Sequence, residues 1–455
     1  MQRQCGPHVR TAALGALIAL ALPAGAHADA AAPADQTPAD QTPADQTYAV
    51  HAQATFTVQA TPGFASPYAG ANSLTPHQAQ ETFDATLYAG VRPWRGGEIW
   101  INPEIDQGFG LSNTLGAAGF PSAEAYKVGK AEPYFKLPRL FWRQTVALGA
   151  AALAIDPAAN QLRAHTTQDR LVLTIGKFGV GDVFDTNSYA HDPRGDFLNW
   201  SMVDGGAFDY AANAWGFTFG GAAEWYRKDW TVRAGLFDLS KIPNQPSLET
   251  GFQQYQVLGE IERRHTLGGH PGAVRVGGWF TRGKLALLRD LVAAYQATGT
   301  MPENASLRRF NDHGGGYVNA EQEVTDTLGL FARISAADGV TEADDFTDID
   351  RSLSIGGQAR GKAWGRADDA AGLAGTVNAI SRARQIFLAD GGLGTLVGDG
   401  RLPHPGNEAV IEGWYRLGLM RSVAVTFDYQ FIANPAYNRD RGPIHVFGLR
   451  LHAGI

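Results

Sequence analysis

The chain has 455 residues, with 38 Lys and Arg against 45 Asp and Glu, 55 glycines and a single cysteine. A net charge of −7 argues against a nucleic-acid binder, and one cysteine excludes a disulfide framework or a Cys-rich zinc site. No apolar run of about 18 residues occurs beyond the N-terminus, which excludes a helical membrane protein but not a transmembrane barrel.

At the N-terminus, Arg3 and Arg10 precede the apolar, Ala-rich stretch Thr11 to Ala26, and Ala26-His27-Ala28 is a small-x-small cleavage site. This pattern predicts a secretory signal peptide over 1–28, cleaved after Ala28. Cys5 leaves with it and stands too early to accept a lipid. Three PADQT copies follow, at Pro33–Thr37, Pro38–Thr42 and Pro43–Thr47. They are polar and Pro-rich, so 29–47 reads as a spacer.

From residue 48 onward, strict period-two alternation recurs, the signal of strands with one apolar face. Tyr48, Val50, Ala52, Ala54, Phe56 and Val58 alternate with His51, Gln53, Thr55, Thr57 and Gln59. Phe83, Ala85, Leu87, Ala89 and Val91 alternate with Asp84, Thr86, Tyr88 and Gly90. The pattern is clearest at Val423, Val425, Phe427, Tyr429 and Phe431, and it returns in Phe447, Leu449, Leu451, Ala453 and Ile455. Sixteen strands are predicted, starting near 47, 82, 98, 134, 168, 214, 230, 253, 273, 314, 328, 351, 370, 407, 421 and 443.

A soluble antiparallel sandwich also alternates. Three features point instead to a membrane barrel over 48–455. The strands are near the roughly 9–11 residues a tilted membrane strand needs. Their polar faces carry Asp, Glu, Arg and Gln, which suits a wet lumen. Connections alternate in length. Short ones lie near Pro93–Gly97, Arg227–Asp229, Thr325–Thr327 and Gly418–Arg421; long ones cover 61–81, 107–133, 179–213, 238–252, 284–313, 338–350, 378–406 and 433–442. Leu285–Thr298 and Val377–Leu388 read as helices inside long loops. The fold class is therefore all-β: an antiparallel transmembrane barrel of about sixteen strands with long extracellular loops and short periplasmic turns.

A barrel of 16–18 strands encloses an aqueous channel unless loops fill it. A sugar path needs aromatic faces for C–H surfaces and planar charged groups for hydroxyls. The inward register offers Trp100, Glu104, Arg139, Phe141, Arg143, Arg233, Glu260 and Trp279. Each also has a plain structural reading: packing for the aromatics, charge ladders for the ions. An enzyme is not indicated. The sequence has no G-x-S-x-G and no H-E-x-x-H, and no cofactor motif. Asp344, Asp345, Asp348 and Asp350 crowd one loop, readable as a solvated acidic surface or as a calcium site.

Several segments together carry a family resemblance: Leu111–Leu148, Gln168–Trp200 with DTNSYAHDPRGDFLNW, Ala207–Trp225 with FDYAANAWGF, DDFTDIDRSLSIG at Asp344–Gly356, GLGTLVGDGRLPHPGNE at Gly392–Glu408, and DYQFIANPAYNRDRGPIHVFGLRLH at Asp428–His452. The chain resembles the carbohydrate-selective porins, the OprB-like outer-membrane porins. The resemblance implies a monomeric sixteen-stranded barrel passing monosaccharides and similar small sugars. It also implies a constriction built by infolded loops, here 107–133 and the loop holding Arg194, Asp196, Asn199 and Trp200. The terminal alternation resembles a barrel-insertion signal, with Ile455 where an aromatic is usual. The expected surroundings are the outer membrane of a Gram-negative bacterium, its lipid bilayer and lipopolysaccharide, the barrel-assembly machinery and small sugars, with no nucleic acid. Two other functions fit the same fold: a general hydrophilic-solute porin without sugar preference, and a structural or adhesion barrel with a closed lumen.

Overall fold

The computed structural model describes residues 44–125 and 129–455. The signal peptide, the cleavage point at Ala28 and residues 29–43 of the spacer lie outside the described residues.

Eighteen strands occur in chain order among the described residues. The first group is β1 (Tyr48–Thr61), β2 (Gln78–Val91), β3 (Gly97–Gly108), β4 (Lys130–Ala147), β5 (Ala152–Ile155), β6 (Ala164–Thr167), β7 (Arg170–Phe178), β8 (Thr218–Arg227) and β9 (Trp230–Asp238). The second is β10 (Tyr255–Leu267), β11 (His270–Leu285), β12 (Arg309–Thr325), β13 (Leu328–Ala337), β14 (Arg351–Arg360), β15 (Ala370–Ala379), β16 (Glu408–Met420), β17 (Val423–Ala433) and β18 (Ile444–Gly454). Sixteen of them close into an antiparallel barrel in which β1 pairs with both β2 and β18; β5 and β6 form a separate hairpin. All sixteen barrel strands begin within five residues of the positions read from alternation, the largest displacement being at β12.

Alternation fixes the register because one slipped residue would turn every apolar side chain into the lumen. Val276, Ile334, Ile355, Leu373, Ile411 and Phe427 are all exposed on the outside, where lipid takes the place of a core. Trp94, Trp225, Trp230 and Trp364 stand exposed beside the short turns, the level of an interfacial aromatic girdle. The glycine excess has a use in the wall as well as in turns. Inward glycines lie opposite large rings on the next strand: Gly90 opposite Trp100, Gly315 opposite Trp279, and Gly372 opposite Trp414. Each ring fills the space a Cβ would take.

Among the described residues, two helices of eight residues or more sit in the long loops, α1 (Leu288–Thr298) and α2 (Arg382–Ala389), beside the single turns Trp200–Val203 and Asn304–Leu307. The sequence expectation placed the second from Val377, but Val377 to Ala379 complete β15. Ser381 then caps α2, its hydroxyl accepting the Arg384 N–H at 3.1 Å. A second difference is the connection of β4 to β7. It lies on the turn side yet runs from 148 to 169 and holds the β5–β6 hairpin.

The core of the protein lies inside the barrel, made by infolded loops. The third long loop, 179–217, buries Phe184, Phe197, Trp200, Met202, Phe208 and Tyr210. Carboxylates of the wall hold it by its backbone. Glu412 accepts the N–H groups of Leu198 at 2.6 Å and Asn199 at 2.9 Å, and Glu260 accepts that of Asp185 at 2.9 Å. Arg333 donates to Asp185 at 3.2 Å and to the Met202 carbonyl at 2.8 Å. The second long loop is held the same way: Glu408 accepts from Ala118 at 3.0 Å and Gly119 at 2.6 Å. Bonds to a charged partner contribute about 1.5–3 kcal/mol each, and an unmet buried N–H costs a similar amount. These anchors, on β10, β13 and β16, fix the loops against that part of the wall and leave the β2–β9 side of the lumen open.

Candidate functional site

The free space along that side divides into two cavities. The outer one, of about 210 Å³, lies between β2, β3 and β4 and the third loop. The inner one, of about 660 Å³, lies toward the short turns, between β3, β4, β7, β8 and the 148–169 excursion. Asp182 lines both. It sits on the first turn of the third loop and accepts the Gly179 N–H at 2.9 Å. Arg139 on β4 grips it with two bonds, Nε at 2.7 Å and Nη2 at 2.6 Å. Burial works against this carboxylate, but the Arg139 charge outweighs it and holds Asp182 below the usual range.

A lattice of opposite charges lines the outer cavity. Lys136 reaches Glu104 at 2.9 Å and Asp106 at 3.1 Å. Arg194 enters from the third loop and meets Asp84 at 3.1 Å, Glu124 at 3.0 Å and Glu104 at 3.5 Å. Burial pushes the Glu124 carboxyl well up, against the pull of Arg194. His191 lies 3.6 Å from Asp204. Burial opposes its charge, but Asp204 prevails and lifts it to about 9, so His191 is a cation at neutral pH. Aromatic rings complete the lining. The Arg139 guanidinium stands 4.8 Å above the Phe217 ring, with the Lys136 ammonium at 5.8 Å.

Lys136 shows how the strand builds this site. Alternation from Arg139, Phe141 and Arg143 would turn Lys136 outward. A bulge opposite Pro103 shifts the register between Lys136 and Arg139, so both face the lumen. No local sequence signal beyond Pro138 announces it.

Of the eleven predicted path residues, Glu104, Arg139, Arg194 and Trp200 line the outer cavity, and Arg143 and Arg233 line the inner one. The other five line neither of these cavities. Trp100 is fully buried; its indole N–H donates to Glu98 at 2.9 Å. Phe141 is buried edge-on against Phe178. Asn199 caps the short helix Trp200–Val203 and donates to the Gly119 carbonyl at 2.9 Å, joining the two loops. Glu260 belongs to the wall, taking Arg233 at 2.6 Å and the Tyr317 hydroxyl at 2.6 Å. Trp279 packs under Phe208 of the third loop, ring centroids 4.9 Å apart. Trp200 lines the outer cavity with both ring faces stacked. Phe120 and Phe346 stack on it at 5.4 and 5.3 Å, so it offers the path an edge and not a face.

Arg233 is the hub of a cross-strand ladder. It binds Glu224 at 3.1 Å and Glu262 at 3.0 Å; Glu262 then binds Arg275 at 3.0 Å, which binds Glu321 at 3.1 Å. Alternating charges on adjacent strands stiffen the wall at the level of the inner cavity.

The acidic loop is neither a solvated surface nor one cation cage. Asp344, Asp345, Asp348 and Asp350 are all buried. Arg384 of α2 takes both Asp348 and Asp350 at 3.0 Å, while Asp345 accepts the Ser240 hydroxyl at 3.0 Å. These acids pin the loop inward and are separated by their partners. Among the described residues, the group of three metal-binding side chains that does converge is His270, Glu323 and Asp326, at the short turns.

The family model for carbohydrate-selective porins of the OprB family matches residues 71–454. The high-pH structure of Pseudomonas putida OprB is similar over 90% of this chain and 94% of that one, with a TM-score of 0.68 at 17% identity. Its low-pH structure gives a TM-score of 0.49 at 13% identity over 90% and 93%, and the DcaP channel of Acinetobacter baumannii 0.47 at 9% over 90% and 97%. The comparison with curated protein sequences gives no match. With the matched region spanning the barrel from before β2 to the last residue of β18, the chain belongs to the OprB family of carbohydrate-selective porins.

Proposed function

We propose that the protein is a passive outer-membrane pore for monosaccharides and similar small sugars, which cross by way of the outer and then the inner cavity. The observation that carries this reading is the outer lining, where carboxylates, cations and ring surfaces surround about 210 Å³. A sugar entering it loses hydration from its hydroxyls. Glu104 and Asp84 accept hydrogen bonds in exchange, Arg139, Lys136 and Arg194 donate them, and Phe217 takes up C–H surface. The ion pairs hold these groups apart, so the path does not collapse when empty. Each bond is weak enough to exchange with water, which lets solute leave as well as enter. The protein performs no bond chemistry in this scheme. The N-terminal signal, removed after Ala28, delivers a monomeric barrel to the assembly machinery and then to the lipopolysaccharide-bearing membrane of a Gram-negative bacterium.

Single-channel recording in planar bilayers tests the reading. The expected result is an open channel whose ion current falls saturably with added glucose. An open channel that glucose does not block makes the protein a general porin. A channel that never conducts makes it a closed structural barrel.

A further inference from the structure

Five arginines and four carboxylates border the inner cavity. The carboxylates are already committed. Glu98 meets Arg92 at 3.2 Å, Asp45 meets His165 at 2.7 Å, Asp182 meets Arg139 at 2.6 Å, and Glu224 meets Arg233 at 3.1 Å. Arg95, Arg143 and Arg170 are left over; Arg95 is exposed at the β2–β3 turn, and the other two stand on the wall. Arg143 comes no nearer than 3.9 Å to Glu98 and spends one N–H on the Asn160 carbonyl at 2.7 Å. Arg170 makes no ion pair within 4 Å among the described residues; its guanidinium lies 3.8 Å from the Tyr226 ring centre. Both belong to strands, β4 and β7, that are neighbours in the wall.

The outer cavity has the opposite balance. Asp84, Glu104, Asp106, Glu124, Asp182 and Asp204 face four cations there. Guanidinium groups without a carboxylate at hydrogen-bond distance therefore concentrate on the inner side. The inner cavity is also partly closed off from the periplasm. Gln161, His165 and Thr166 of the 148–169 excursion line it, and the excursion is fastened to the barrel's N-terminal edge by Gln46 and Arg163, N–H to carbonyl at 3.0 Å. A volume of about 660 Å³ is within the range of small-molecule sites.

We propose that the inner cavity is a second solute site, selective for monosaccharides bearing an oxyanion, carboxylate or phosphate, with Arg170 and Arg143 as its anion donors. This rests on the reading of the lumen as a sugar path. A guanidinium matches the planar, two-point geometry of either oxyanion, and a partly enclosed site strengthens the bond. Neutral sugars pass both cavities. An anionic sugar gains an additional hold at the inner one.

The test compares glucose, glucuronate and glucose 6-phosphate as blockers of single-channel current in the parent and in Arg170→Gln. At least one anionic sugar should block at roughly one-tenth the glucose concentration, an advantage that shrinks as salt is raised. Arg170→Gln should remove the advantage, and Arg143→Gln provides a second variant. Heat-modifiable migration confirms that each variant has closed its barrel. Glucuronate alone or glucose 6-phosphate alone showing the advantage supports the site and assigns the oxyanion. If glucose blocks but neither anion exceeds it, or if both variants keep the preference, the inference is overturned while the sugar path stands. If no sugar blocks the open channel, the sugar path fails and the inference falls with it.

Discussion

Replacing Arg139 with alanine removes the cation that stands where the two cavities meet. Asp182 uses its Nε and one Nη2 hydrogen, at 2.7 and 2.6 Å. Of the five guanidinium donors, three N–H groups remain for solute. A hydrogen bond to a charged group contributes about 1.5–3 kcal/mol, but each new one here replaces a water contact in a site that is not fully dry. A net loss of ~2 kcal/mol in sugar binding follows, which weakens glucose block about thirtyfold. Asp182 loses its partner as well. It keeps the Gly179 N–H and remains near a second cation, His191, so the third loop holds its place. With the side chain gone the boundary widens, and open-channel conductance should rise while block weakens. The assay is glucose titration of single-channel current, with heat-modifiable migration as the folding control. A folded Arg139→Ala barrel whose block constant stays within about twofold of the parent refutes the reasoning.

The remaining predictions concern the outer cavity, the lipid face and the loop core. His191 has a folded value of about 9, above its usual range, so its cation is present at neutral pH and lost as pH rises through about 9. Cation over anion permeability, read from reversal potentials, should increase across that window, and His191→Gln should abolish the step. Phe427→Arg places a cation on the lipid face and should impair membrane insertion by about 2–4 kcal/mol near the midplane, measured by folding yield into bilayers. Trp279→Ala should cost about 3–5 kcal/mol by leaving a cavity under Phe208. It should show as faster hydrogen exchange in the third loop, without the direct loss of sugar contact expected of Arg139→Ala.

The barrel was legible in the sequence because its information is local. Period-two alternation needs only neighbours, as in Val423 to Phe431, and a slipped register would put those side chains in water. The interior was legible only in part. Glu104, Arg139, Arg194 and Trp200 were readable as inward or loop-borne groups of the right chemistry. Which of them meet was not, because the third loop is positioned by Glu412, Glu260 and Arg333, far away in the chain. Asp182 and His191 lie on that loop as well, and nothing local sets them apart from its other polar residues. Lys136 escaped because a bulge reverses the parity of β4. Trp279 and Trp100 show a related ambiguity: an inward aromatic reads the same whether it faces solute or lies under another ring. The acids at 344–350 looked solvated because their partners, Arg384 and Ser240, come from other loops.

Cysteine accessibility is the most direct probe of an off-axis path. Cys5 is the chain's one cysteine, so in a Cys5→Ser background an introduced thiol is unique. Thr82→Cys places it in the outer cavity and Val172→Cys in the inner one. A charged methanethiosulfonate reagent should cut the single-channel current at both positions, and glucose should slow the reaction at Thr82→Cys. A current that neither modification changes would mean that ions and sugars cross elsewhere, or not at all.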